Sequence, residues 1–213
     1  MRKSWLIQAV VMFVGAIVMC SVLPAAADTI TFSGPVISDN DVPYTVFDGV
    51  IDYSYASGVL TLDLQNDTAD PYEYTLSVLA FNVSSDVTGM SILNDGGLSN
   101  TSLTANDRGD GFGWFDYVFD LGQGNNGITA GNSEVVTFNV TGSGLDTSDF
   151  FTGLSTGGGL DPQVATIHFT RGPDDDSAWV SPDSPGVPEP ASVSLLGLGL
   201  LGLVTRRIRR RVA

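Results

Sequence analysis

The chain predicts an all-β fold, a single antiparallel β-sandwich, and three observations carry that reading. Between residues 28 and 181 apolar side chains recur with period two, the pattern of strands buried on one face only. Clusters of Gly, Asn, Asp and Ser (NDTADP, NDGGLSN, NDRGDG, GQGNNG, TGSG and TGGG) interrupt the alternation at the short spacing of a sandwich. A chain of 213 residues, 43% of them hydrophobic, has room for one substantial core, and the absence of a fixed-period repeat argues against a solenoid or propeller. The sandwich is expected to be jelly-roll-like or immunoglobulin-like.

Taken in order, the chain begins with a targeting segment. Arg2 and Lys3 precede an apolar run over residues 5–23, and Ala25, Ala26 and Ala27 supply the small residues that a signal peptidase needs. Residues 1–27 are therefore expected to be a signal peptide, cleaved between Ala27 and Asp28. The lone Cys20 follows the bulky Met19, which argues against a lipid-modified N-terminus. Without the signal the chain has no cysteine, so burial alone must hold the fold.

An acidic domain is expected over residues 28–171. In YTVFDGVIDYSY, Phe47, Ile51, Tyr53 and Tyr55 share one parity while Asp48, Val50 and Asp52 share the other. In GVLTLDLQN, Leu60, Leu62 and Leu64 oppose Thr61, Asp63 and Gln65. Further strands are expected over 30–32, 72–83, 87–93, 114–121, 134–140, 164–170 and 178–180, about nine in all. Only LDTSDFFTGL reads as helical and short, with Asp146 or Thr147 as N-cap. Five prolines between Pro173 and Pro190 predict an extended linker over 172–186, apart from a short piece around Trp179.

Charge restricts function. All 24 acidic residues lie between Asp28 and Glu189, where only Arg108 and Arg171 oppose them, a net charge of 2 − 24 = −22 over residues 28–190. Such a surface repels phosphate backbones, which excludes nucleic acid as a partner, and attracts cations.

Catalytic patterns match by spacing and fail in context. Gly153-Leu154-Ser155-Thr156-Gly157 fits a nucleophile elbow, with Asp161 and His168 following, but the elbow needs a helix after the serine and GGGLDPQ follows instead. The alternation in VATIHFT also places His168 on the face opposite Ile167 and Phe169. Gly122-Gln123-Gly124-Asn125-Asn126-Gly127 fits a dinucleotide fingerprint, yet a strand follows it, so a hairpin loop is the better reading. One histidine and no lysine or cysteine after the signal leave the chain without the usual residues for zinc, thiol or Schiff-base chemistry.

Calcium is the cofactor that the remaining oxygen ligands suit. Asp107 and Asp110, and Asp174, Asp175 and Asp176, are the densest clusters, with a solvated acidic loop as the default reading of each. An EF-hand centred on Gly111 would put Arg108 and Tyr117 at ligand positions and is rejected. Arg108-Gly109-Asp110 spells an adhesion tripeptide by coincidence of composition. Asn66, Asn82, Asn100 and Asn139 begin glycosylation sequons. An Asp/Glu pair for glycoside hydrolysis is compatible with the sequence, because its spacing is set in three dimensions.

The C-terminus carries three features in fixed order: Val187-Pro188-Glu189-Pro190, an apolar segment over 191–205, and the basic cluster Arg206, Arg207, Arg209, Arg210 and Arg211. As a transmembrane helix the 15-residue segment would span about 22 Å, short against a hydrocarbon core of about 30 Å. The arginines would lie on the cytoplasmic side and the acidic domain outside. This order, over residues 187–211, resembles the PEP-CTERM sorting signal of Gram-negative bacteria. The same tail carries an "ice-binding protein C-terminal" label, which names the segment and does not imply ice binding.

The resemblance implies recognition by an exosortase, a membrane protease thought to cleave near Pro-Glu-Pro, and association with exopolysaccharide and biofilm. Exosortase and signal peptidase would be partners during processing, with membrane contact through the tail. The chain would pass through an inner-membrane intermediate to the cell surface or extracellular matrix. The leading expectation is thus an exported, non-enzymatic matrix protein. The alternatives are a secreted carbohydrate-active enzyme using an Asp/Glu pair, and a surface protein anchored by an unprocessed tail.

Overall fold

The computed structural model describes residues 27–33, 36–38, 47–68, 74–122, 126–170 and 177–183. Thirteen strands are defined among them: β1 (Asp28–Phe32), β2 (Val36–Ser38), β3 (Gly49–Ala56), β4 (Val59–Asn66), β5 (Thr75–Phe81), β6 (Val87–Asn94), β7 (Ser102–Gly109), β8 (Gly113–Asp120), β9 (Ile128–Thr129), β10 (Asn132–Gly142), β11 (Thr156–Gly157), β12 (Ala165–Thr170) and β13 (Ala178–Val180). They form two antiparallel sheets. The first has the order β1-β3-β4-β10-β6.

In the second sheet, β7 covers one edge of β8 along its whole length, so β5 and β11 share the other edge. The order there is β7-β8-β5-β12-β13-β2, with β9 beside the start of β5. The alternation expected from sequence is the alternation observed. Ile51 and Tyr53, then Leu60, Leu62 and Leu64, are buried on one face of the first sheet. Leu79, Phe81, Tyr117, Phe119, Ile167 and Phe169 are buried in the same core from the second sheet.

Aromatic rings join the sheets. Phe119 and Phe138 meet edge to face at 5.1 Å between centroids, and Phe47 meets Phe169 at 5.4 Å. Offset and edge-on contacts of this kind add to the burial of the rings themselves. The sheets also approach closely at Gly49, where an added Cβ would lie 2.6 Å from Ile167 Cδ1. Burial pushes the Tyr53 phenol up to about 12, with Asp28 adding to the shift.

Three local expectations need correction. LDTSDFFTGL forms only one 3₁₀ turn, Thr147–Asp149, capped by Asp146 through a capping box with Asp149. The chain then turns extended at Phe150 and adopts φ 53° at Phe151, because both rings enter the core, Phe151 lying 4.6 Å from Tyr53 and 5.1 Å from Phe81. Burying two aromatic rings outweighs the few hydrogen bonds of another helical turn. NDRGDG is a strand as far as Gly109, which pairs with Gly113 and leaves only residues 110–112 as the hairpin loop.

The strand expected over 178–180, around Trp179, is β13, which pairs with both β12 and β2. The strand expected over 72–83 is shorter, Thr75–Phe81. Short or polar strands β2, β7, β9 and β11 were not expected. Residues 1–26 of the expected signal peptide, residues 171–176 and everything from 184 onward lie outside the described residues, which contain no helix long and apolar enough to cross a membrane.

The closed end of the β7–β8 hairpin arches over the outer face of the second sheet. A Cβ on Gly109 would lie 2.9 Å from Thr166 Cγ2, although β12 is two strands removed from β8. Beneath this arch Phe112, Phe115 and Ala80 form a second apolar cluster, flanked by Val118 and Trp179.

One buried polar side chain ties three segments together. Asn66 is fully buried, donates to the carbonyls of Tyr74 (2.9 Å) and Ile128 (2.7 Å), and accepts from the backbone and hydroxyl of Thr68. Replacing it orphans buried groups that each cost about 1–3 kcal/mol. Urea unfolding of Asn66→Ala is expected to show a loss of about 3 kcal/mol, whereas Asn139→Ala on an exposed position of β10 changes stability by less than about 0.5 kcal/mol.

Candidate functional site

The described carboxylates all lie at the surface, exposed or half-buried, and the buried polar residues are Asn, Ser and Thr. This follows in part from the period-two pattern: Asp52, Asp63, Asp116 and Asp120 take the outward parity of their strands, whereas Asp28 shares the inward parity of β1 but lies at its open end. Asp107 lies on β7, where its carboxylate accepts the Arg108 N–H at 2.8 Å, and Asp110 lies in the hairpin loop. Among the described residues no three acidic, His or Cys side chains come together in a metal-holding group. Asp174, Asp175 and Asp176 lie outside the described residues.

Ser155 and His168 serve the fold separately. Ser155 is buried, donates to Phe112 O at 2.7 Å and accepts from Gln163 N at 3.0 Å, fastening the arch to the loop before β12. His168 is half-buried on β12, stacked on Trp179 at 4.5 Å, with Nδ1 3.3 Å from Ser77 Oγ. A serine hydroxyl committed to two backbone groups is a strut rather than a nucleophile. Two sequon asparagines are inaccessible as well: Asn66 is fully buried, and Asn82 uses its side chain to receive Asp116 N–H and to donate to Gln163 O.

Sequence reasoning missed an acidic junction at the end of the domain. Asp183 accepts hydrogen bonds from the backbone and hydroxyl of Ser33, and its own N–H donates to Thr31 O at 3.0 Å. The last described residue is thereby fastened to β1, the strand that follows the expected signal cleavage site. Asp48 and Asp67 stand close by, with the Asp67 N–H donating to Asp48 O. Burial raises the Asp48 carboxyl above its ordinary value of 3.8, and the charges of Asp67 and then Asp183 raise it further. Asp48 Oδ1 is buried without a hydrogen-bond partner. Nothing in the sequence pairs positions 48, 67 and 183; the sheet order alone does so.

Three residues beyond this junction the chain enters the segment with its VPEP tripeptide, apolar run and arginine cluster. Residues 186–211 match the PEP-CTERM protein-sorting motif. The PEP-CTERM motif contains every tail residue singled out above, from Val187, Pro188, Glu189 and Pro190 to Arg206, Arg207, Arg209, Arg210 and Arg211. All of these, like Ala25 in the signal, lie outside the described residues, whereas Ala27 is exposed and Asp28 opens β1. The motif directs export and exosortase-dependent sorting to the cell surface. Comparison with curated proteins and with solved structures finds no match.

The fastened Asp183 shortens the tether between domain and motif. From Asp183 to Pro188 five residues span at most about 18 Å, so the folded domain stands close to the site of tail recognition.

The acidic junction gives a pH-dependent expectation. A carboxyl whose folded pKa lies above its unfolded value destabilises the native state near neutrality, and the strain is relieved as pH falls through the raised folded value. Asp48→Asn is expected to raise the melting temperature at pH 7, with a gain that shrinks through that range and disappears below 3.8. Thermal melts of both proteins across the acid range check this, and a pH-independent gain would contradict the charge repulsion.

Proposed function

We propose that this protein is an exported, non-enzymatic β-sandwich of the cell surface or extracellular matrix, associated there with exopolysaccharide. The PEP-CTERM motif at 186–211 carries the reading. The charge distribution supports it: nearly all the cations lie in the two terminal segments, and the net −22 of residues 28–190 keeps the exported part soluble and away from polyanions.

In this reading signal peptidase cuts before Asp28, the apolar segment over 191–205 holds the chain transiently in the inner membrane, and the exosortase cuts near Pro188-Glu189-Pro190. The arginines remain on the cytoplasmic side. The domain acts by binding rather than by turnover, a reading supported by the commitment of Ser155 to the fold. Calcium would act as a bridging ion between surface carboxylates and matrix, outside any built protein cage.

Mass spectrometry of the protein recovered from the cell surface tests the processing. The expected mature chain begins at Asp28 and ends near Pro190, without the arginine cluster. An intact Arg206–Arg211 end would instead identify a permanently anchored surface protein. Glu189→Ala is expected to leave the uncleaved precursor in the membrane fraction, measured by fractionation and immunoblot.

A further inference from the structure

The described domain contains a single basic side chain, Arg108, and its surroundings are unlike the rest of the surface. On β8, Trp114 stands directly opposite Arg108 of β7 on one side and Thr156 of β11 on the other. Residues directly opposite across antiparallel strands project from the same face, so guanidinium, indole and hydroxyl form one row. All three residues are exposed, Trp114 by 42%.

The Arg108 guanidinium lies over the indole ring, its carbon 5.7 Å from the centroid. No ion pair joins it to a described carboxylate, although Asp107 and Asp110 are close in sequence; Asp107 is turned back onto the backbone instead. On the other flank Gly157 adjoins the indole, its absent Cβ position lying 3.5 Å from Trp114 Cδ1. The row is held in place by pairing on both edges of β8 and by the buried Phe112 and Phe115 on either side of it in sequence.

We propose that Arg108, Trp114 and Thr156 form a binding site for one sugar unit of an uncharged polysaccharide. The ring C–H groups of a pyranose are weakly positive and apolar, and pack on the negative face of an indole. Its hydroxyls radiate in the plane of the ring. The guanidinium, lying over part of the indole, borders the ring surface that stays exposed and brings its N–H donors to that border, and Thr156 stands on the neighbouring strand about 4.8 Å away, within reach of those hydroxyls. An aromatic surface with a few placed polar groups is the composition expected of a small-ligand site.

The charge of the domain selects the class of glycan. At −22 over residues 28–190, a polymer carrying a carboxylate on every sugar is repelled before a single arginine can compensate, and an uncharged chain is not. This inference rests on the matrix reading above and assigns it a site.

The test uses the full-length chain in detergent and in calcium-free buffer with chelator, which removes any calcium bridging, incubated with insoluble cellulose, β-1,3-glucan, mannan and cross-linked dextran, and with a polygalacturonate gel. The expected result is depletion by at least one of the four uncharged matrices and none by polygalacturonate. Trp114→Ala should weaken the retained interaction about tenfold, with Trp114→Phe intermediate and Arg108→Gln about threefold weaker. Because all three positions are exposed, the variants should melt with the parent protein.

Retention by none of the uncharged matrices, equal retention of Trp114→Ala, or preference for polygalacturonate would each overturn the site. Matrix association of the protein in cells, scored in parallel by fractionation, separates the two claims. A protein that still fractionates with the matrix but ignores all four polymers refutes the site and leaves the matrix reading standing. A protein that binds through Trp114 but stays in the membrane refutes the location and leaves the site.

Discussion

The contact between Phe119 and Phe138, edge to face across two sheets, represents the constraint on which the rest of the structure depends. Cys20 is the single cysteine of the sequence, so no disulfide holds one sheet to the other. What holds them is removal of aromatic and aliphatic surface from water along a seam that runs from Phe47 and Phe169 through Phe119 and Phe138 to Phe151. The local corrections to the sequence reading follow from that seam. Phe150 and Phe151 end a helix after one turn in order to join it, and Gly49 lets Ile167 approach its strand, with Cδ1 2.6 Å from where a Cβ would stand.

A core assembled this way leaves polar loose ends, and two buried asparagines gather them. Asn66 closes the space between the end of β4, the entry to β5 and β9. Asn82 does the same where β5 ends, receiving Asp116 N–H while the Asp116 carboxylate receives Val83 N–H. Buried amides satisfied on both ends make the arrangement of strands specific, since any other register would strand them without partners. The described carboxylates are kept at the surface, and Asp48, which feels the charges of Asp67 and Asp183, lies near the last described residue.

Legibility in the sequence followed burial. Strands with one buried face, such as β3, β4, β8 and β10, were legible because alternate positions had to be apolar. The edge strand β7 was hidden for the complementary reason. Its free edge faces water, so SLTANDRG carries polar residues that read as a turn. The two-residue strands β9 and β11 are too short for any period. The Arg108, Trp114 and Thr156 row was equally invisible, because its members are brought together by strand pairing from positions up to 48 residues apart.

By itself the sequence determined the class of fold, the acidity of the exported part and the route of the chain, because each of these is written in local composition: alternation, charge sign, and a tripeptide followed by an apolar run and arginines. Only the tertiary structure decided which polar residues are struts and which are surface. Ser155, with the spacing of a nucleophile, is a buried strut, and Trp114, with the composition of a core residue, is exposed beside the only described cation. The physical reason is that a side chain's role depends on which strands lie next to it, and strand order is set by the burial of the whole core rather than by any short stretch of chain.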